Sequence, residues 1–371
     1  MNKNQSKYNS TKNLKITYYL GAGASYNALP IWHKQGNSMI EVSIQIFEKL
    51  KSVSLKEDSN TAILFENQIL TKFAEKLMEF GKFAVEYGSI DIYARRLYLL
   101  KDINRLNELK YCLSVYFDLW EKFLFLGQKI NENDYYQKID KRYYSLLSVL
   151  LEKNDNLPKL NDSISIITWN YDLQVEMAYA SFLPNKFNSL ETIDSGLKFK
   201  DNIYNNERLN IVHLNGYRGE FKYGNNTYPN VDDKYSDTIE DYLLGILENY
   251  SQFKRPGPDY KDCIKYAWES NSKSIERAKK IMEGTDILII IGYSFPSFNR
   301  GIDSLLINEF EKKSYHKIIY QDPNINIDIV KSIFKNPNDV ELKNDINTRQ
   351  FYIPHEFLFP TEGAEISFGI N

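Results

Sequence analysis

The run Lys15 to Leu20 stops in Gly21-Ala22-Gly23-Ala24-Ser25, and a second apolar run, Ser163 to Ile167, stops in Thr168-Trp169-Asn170-Tyr171-Asp172. A strand that ends in small residues lets the next turn bring its backbone N–H groups, and the positive end of any following helix, against a pyrophosphate, because a larger Cβ would hold the phosphates away. The first run therefore points to a dinucleotide. The second supplies an amide and a carboxylate at another strand end, where parallel α/β sheets open their ligand crevice.

Three more short apolar runs, Asn210 to Val212, Ile287 to Ile291 and Lys317 to Tyr320, also end in polar or small residues. The five read as parallel strands of a Rossmann-like α/β core. Between the first two strands glycine is sparse and apolar residues recur at helical spacing, as in Ile63, Ile69, Leu70, Phe73, Leu77 and Phe80. Residues 38–151 are thus expected to be a large helical insertion, with Ser89 capping one helix and Tyr143 to Glu152 returning to the sheet. The core takes 14–37 and 152–371, the polar start 1–13 is expected to be disordered, and the Asn- and Asp-rich stretches Asn185 to Glu207 and Phe221 to Asp237 read as loops.

With 371 residues and only two cysteines, Cys112 and Cys263, the chain can bury a core without disulfides and cannot build a four-thiolate zinc site. No zinc is expected. The histidines His33, His213, His316 and His355 are scattered, the start has no signal-peptide core, and no stretch reaches the roughly 18 apolar residues of a membrane span. A cytoplasmic protein is expected, with no membrane association. A net charge of −3 without a basic tract predicts no direct nucleic-acid binding by this chain alone.

Each motif also has a purely structural reading. The glycine turn lacks the third glycine of the usual dinucleotide fingerprint, since Tyr26 stands there, and tight strand–helix turns need glycine anyway. Asp172 suits the cap of a helix beginning near Leu173, and His213, in Val212-His213-Leu214-Asn215-Gly216, suits a satisfied core histidine. Gly292-Tyr293-Ser294-Phe295-Pro296 suits an ordinary strand-ending turn, and Arg300 and Asp303 suit a solvated or interface role on the following helix. Their order favours function: four polar strand ends in one α/β chain converge on a single crevice.

The ordered set resembles the sirtuin-like family, specifically its zinc-free bacterial NAD hydrolases of antiphage defence. Gly21 to Ser25 is similar to the family's Gly-Ala-Gly-x-Ser loop, and Leu29-Pro30-Ile31-Trp32 to the proline-containing stretch after it. Thr168 to Asp172 resembles Thr-Gln-Asn-x-Asp, with Trp169 in place of glutamine; His213 and Gly216 resemble a histidine–glycine pair, and Gly292 to Pro296 a glycine–serine nucleotide loop.

The resemblance implies NAD as substrate, bound by Gly21, Ala22, Gly23 and Ser25, with Ser25, Asn170 and Asp172 lining the nicotinamide–ribose pocket. Nicotinamide leaves as a neutral base, so the barrier is creation of an oxocarbenium-like ribose, met by positioning and electrostatics more than by a strong nucleophile. Asn170 would orient a ribose hydroxyl or water, Asp172 would accept from the carboxamide and stabilise positive charge, and His213, with an ordinary pKa of about 6.5, would act as base. Gly292 and Ser294 would contact phosphate or adenosine, and Asp322 or Asn324 the adenosine ribose. The expected activity is NAD hydrolysis to nicotinamide and ADP-ribose, depleting the cofactor during infection. The alternatives are an NAD-dependent deacylase or ADP-ribosyltransferase, and a non-catalytic nucleotide-sensing or scaffolding subunit. Little chain follows Asn324, so control is expected from homo-oligomerisation or from a partner such as a HerA-type ATPase ring.

Overall fold

The computed structural model describes residues 14–54, 68–123, 136–184, 189–200, 209–224, 226–231, 238–252, 260–269, 272–313, 316–344 and 349–358. Ile63 and the expected disordered start lie outside them. Six parallel strands form the central sheet, β1 (Ile16–Leu20), β4 (Ile164–Thr168), β5 (Ile211–His213), β9 (Ile287–Ile291), β10 (Lys317–Gln321) and β11 (Val340–Lys343), while β2 (Leu151–Glu152) and β3 (Lys159–Leu160) form a separate short antiparallel pair. The order across the sheet is β11-β10-β9-β1-β4-β5. Counted along the chain, this is the 3-2-1-4-5-6 order of doubly wound dinucleotide folds, read from the opposite edge. The order reverses between β1 and β9, which are paired from Ile16↔Ile287 to Leu20↔Ile291.

Both faces of the sheet are buried, which explains strands that are apolar without a polar face. In β9, Ile287, Ile289 and Ile291 point to one core and Leu288 and Ile290 to the other. The first core is closed by α5 (Lys141–Leu150), α6 (Gln174–Ala180) and α7 (Leu190–Leu197); the second by α9 (Ser272–Gly284), α10 (Arg300–Phe310) and α11 (Ile327–Ile333).

A third core joins α1 (Trp32–Ser54), α2 (Gln68–Tyr87), α3 (Ile90–Leu99) and α4 (Ile103–Phe123) to α8 (Ile239–Gln252). The helical spacing is accounted for by α2, where Leu70, Phe73, Leu77 and Phe80 are fully buried. Ser89 caps α3 by accepting from the Ile92 N–H at 3.2 Å. The helical unit departs from 38–151 at both ends. It starts at Trp32, and α5 belongs with the sheet, because Tyr143, Leu146, Leu147 and Leu150 pack in the first sheet core. It also recruits later chain: a small antiparallel sheet, β6 (Glu220–Tyr223), β7 (Asn226–Pro229) and β8 (Tyr260–Asp262), contributes Phe221, followed by Ile264 and Tyr266.

Two stretches read as loops are therefore corrected. Leu190–Leu197 is a helix whose first turn is capped by the Ser189 hydroxyl, and Glu220–Pro229 holds a β-hairpin anchored by buried Phe221. Residues 185–188, 201–207, 225 and 232–237 of those stretches lie outside the described residues. Among the described residues no helix is long and apolar enough to cross a membrane.

The meeting of β1 and β9 fixes a glycine. Gly292 has φ +59, and a Cβ there would run into the Gly23 and Ala24 backbone. Gly292→Ala is expected to lower stability by at least about 1–2 kcal/mol, the cost of the left-handed backbone alone. Urea denaturation measures this, and an unchanged midpoint would contradict the packing.

Candidate functional site

The carboxyl ends of β1, β4, β5 and β9 carry the motifs to one edge of the sheet, at its switch point. After β1 the chain makes one 3-10 turn, Ala22–Ser25, and the next helix begins only at Trp32. The turn packs on the loop after β9. A Cβ on Gly21 would lie 2.5 Å from the Tyr293 ring, and one on Gly23 would lie 2.8 Å from Gly292 Cα. The Gly21 N–H donates to Ile291 O at 3.0 Å and the Gly23 N–H to Gly292 O at 2.8 Å. These two glycines serve backbone packing, and their N–H groups are spent inside the chain rather than left for phosphate. Ala22 is exposed and Gly23 half-buried, so the turn still reaches the surface.

Asn170 and Asp172 are both buried just beyond β4. The Asn170 side-chain amide donates to Gly21 O at 3.1 Å and to Ser25 Oγ at 3.3 Å, tying the β4 end to the turn. Ser25 Oγ lies 3.3 Å from the Tyr143 hydroxyl. Asp172 Oδ1 accepts from the Gln174 N–H at 3.2 Å, at the start of α6, so the structural capping role exists. Burial, reinforced by Glu121, pushes the Asp172 carboxyl up to about 7, against the pull of the Gln174 N–H and the Ser25 hydroxyl. A carboxyl that titrates near neutrality beside an amide and a hydroxyl is suited to proton transfer.

His213 ends β5 with both ring nitrogens engaged. Nε2 lies 3.0 Å from Glu176 Oε1 and Nδ1 3.4 Å from Asn170 O. Burial, the largest single effect, would lower its pKa, but the Glu176 carboxylate, the Asn170 carbonyl and Asp172 together outweigh it and the net shift is upward. A backbone carbonyl can only accept, and an ionised carboxylate likewise. These partners favour an imidazolium with no lone pair turned toward a substrate, which does not suit the base expected from the sequence.

Around these residues lies a charged cluster that the sequence did not single out. Arg218, buried, donates from Nε to Glu121 Oε2 at 2.6 Å and from Nη1 to Asp118. Glu121 also accepts from Gln174 Nε2 at 2.8 Å. Glu176, four residues after Asp172, was findable from spacing on a helix start; Asp118 and Glu121 sit in a largely apolar stretch of α4 with no local signal.

The loop after β9 is unusual in its backbone. Phe295, fully buried, has φ 52, a conformation bulky residues rarely adopt outside constrained sites. Ser294 is exposed beside it. Asp303 is not solvated, contrary to the sequence reading. It is fully buried and accepts from the Tyr19 hydroxyl at 2.6 Å, the Tyr293 hydroxyl at 2.9 Å and the Trp169 indole at 3.0 Å. One carboxyl group thus ties together the ends of β1, β4 and β9, and gives the buried Trp169 indole N–H its acceptor. Burial raises Asp303 to about 7. Arg300 is exposed on the same helix, and its Nε donates to Phe295 O at 3.3 Å. Asp322 and Asn324 lie after β10, three strands from β4, and are joined by an Asn324 N–H donating to Asp322 Oδ1 at 2.7 Å.

Among the described residues no group of three or more His, Cys, Asp and Glu could hold a metal ion, and Cys112 and Cys263 are buried free thiols. No family model matches the chain, and no curated protein does.

Proposed function

We propose that this chain is a sirtuin-like NAD glycohydrolase that releases nicotinamide and ADP-ribose and needs no zinc. The observation that supports the reading is convergence: a small-residue turn, an amide and a carboxyl that titrates near 7 meet at the switch point of a doubly wound sheet. In this reading Asn170 orients the ribose or the attacking water, and Asp172, ionised, stabilises the developing positive charge and takes the proton. His213, held by Glu176, in turn holds the Asn170 carbonyl. Ser294, Asp322 and Asn324 are assigned the adenosine side. Cofactor depletion on phage infection, a homo-oligomer and a partner such as a HerA-type ATPase belong to the same proposal.

One observation favours a second reading, a nucleotide-sensing subunit without turnover: the Gly21 and Gly23 N–H groups and both His213 nitrogens are already committed. Incubation with NAD alone, for the chain and for any assembled complex, separates the readings by nicotinamide release. Release without an acceptor is expected. Release only with an acylated or acceptor protein would favour the deacylase or transferase, and binding without turnover in every assembly would favour the sensor.

A further inference from the structure

A one-turn helix such as Ala22–Ser25 cannot hold itself, because nucleation fixes several dihedrals for very few hydrogen bonds. Its C-terminal side is held from outside. Arg142 Nη2 lies 3.2 Å from both Gly23 O and Ala24 O. The same guanidinium forms a two-pronged pair with Asp140, Nε to Oδ1 at 3.0 Å and Nη2 to Oδ2 at 2.6 Å, and lies over the Phe351 ring at 4.6 Å. Asp140, fully buried, also accepts from the Asn27 N–H at 3.2 Å, while the Gln137 N–H donates to Asn27 O at 2.8 Å. The segment 137–142 therefore grips the turn at its carbonyls and at the residue where it exits. The other end of the grip is fixed, since the Asp140 N–H donates to Gln174 Oε1 at 2.9 Å and the Gln174 N–H to Asp172.

We infer that Arg142 is a positioning residue, holding the Gly21–Ser25 turn against Gly292 in the shape that receives the dinucleotide. The planar guanidinium sets Nε and Nη2 side by side on the Asp140 carboxylate while Nη2 faces the two carbonyls; a lysine ammonium has donors but no such fixed fork. The consequence for ligand rests on the proposed NAD binding, but the hold on the turn does not.

The test pairs hydrogen exchange with kinetics on the full chain. In Arg142→Ala the amides of 22–27 are expected to exchange faster while β4 and β9 stay protected, and KM for NAD is expected to rise about tenfold or more with kcat little changed. Millimolar guanidinium should restore KM, which a merely structural loss would not allow. If Arg142→Ala unfolds, Arg142→Lys keeps the charge and stem and should show the same local exchange. Unchanged exchange at 22–27 in the folded variant, or full rescue by lysine, would overturn the inference. A wild-type chain that neither binds nor cleaves NAD, with the exchange result intact, would instead overturn the NAD reading and leave Arg142's hold on the turn standing.

Discussion

Arg218→Ala is expected to destabilise the protein by about 3–5 kcal/mol, the cost of removing one partner from a buried ion pair. Arg218 is 4 % exposed and bridges Asp118 and Glu121, themselves 2 % and 0 % exposed. Its loss leaves Glu121, among the described residues, with the Gln174 side chain and the Leu173 N–H, and Asp118 with the Tyr242 hydroxyl and a half-exposed Lys122. Asp118 shows what its partners supply: burial alone would raise its pKa, but Lys122 and Arg218, with the Tyr242 hydroxyl, bring it below the usual value. A depressed carboxyl stabilises the fold above its unfolded pKa and loses that contribution as pH falls through the lower folded one. The deficit of Arg218→Ala should therefore shrink in acid. Urea denaturation at neutral and acid pH measures both. A loss under about 1 kcal/mol at neutral pH would show that the cluster is solvated rather than sealed.

The strands were legible because their physics is local. Ile16–Leu20 and Ile287–Ile291 are continuous apolar runs that only a sheet covered on both faces accommodates. The sixth strand, Val340–Lys343, escaped notice because it is an edge: only Val340 is buried, and Glu341 and Lys343 blunt the exposed side. The motifs at the strand ends were legible as a set, while their bonding was not. Trp169 reads as a departure until Asp303, 134 residues later, accepts from its indole. His213 reads as a base until Glu176 and the Asn170 carbonyl fill both its nitrogens. The Arg218 cluster spans about a hundred residues, between α4 and the chain after β5, and nothing near either partner announces the other. Glycine carried a double meaning: small residues after β1 fit a phosphate cradle, and here Gly21 and Gly23 are also what lets two loops touch.

Nicotinamide release is expected to slow as pH falls below about 7, by up to roughly tenfold per unit, because the proposed reaction needs Asp172 ionised and its carboxyl titrates near 7. Asp172→Asn should be slower by about 10²–10³ at pH 8 and should lose that limb, whereas Asn170→Ala should lose a similar factor at every pH, as removal of a single orienting donor does. Asp303 is also raised to about 7, so the assignment rests on the limb vanishing in Asp172→Asn and persisting in Asn170→Ala. Stability should move the opposite way. A carboxyl whose folded pKa lies above its unfolded value stabilises the fold fully below the unfolded pKa and loses that contribution as pH rises through the folded one. At pH 8 wild-type Asp172 is a charge buried near Glu121 and Glu176, and asparagine relieves it while keeping an oxygen for the Gln174 N–H. Asp172→Asn should thus have the higher thermal midpoint at pH 8, with the gap closing toward pH 5. A variant that is both inactive and less stable at pH 8 would mean that Asp172 serves only to hold the start of α6, and the catalytic assignment would fall.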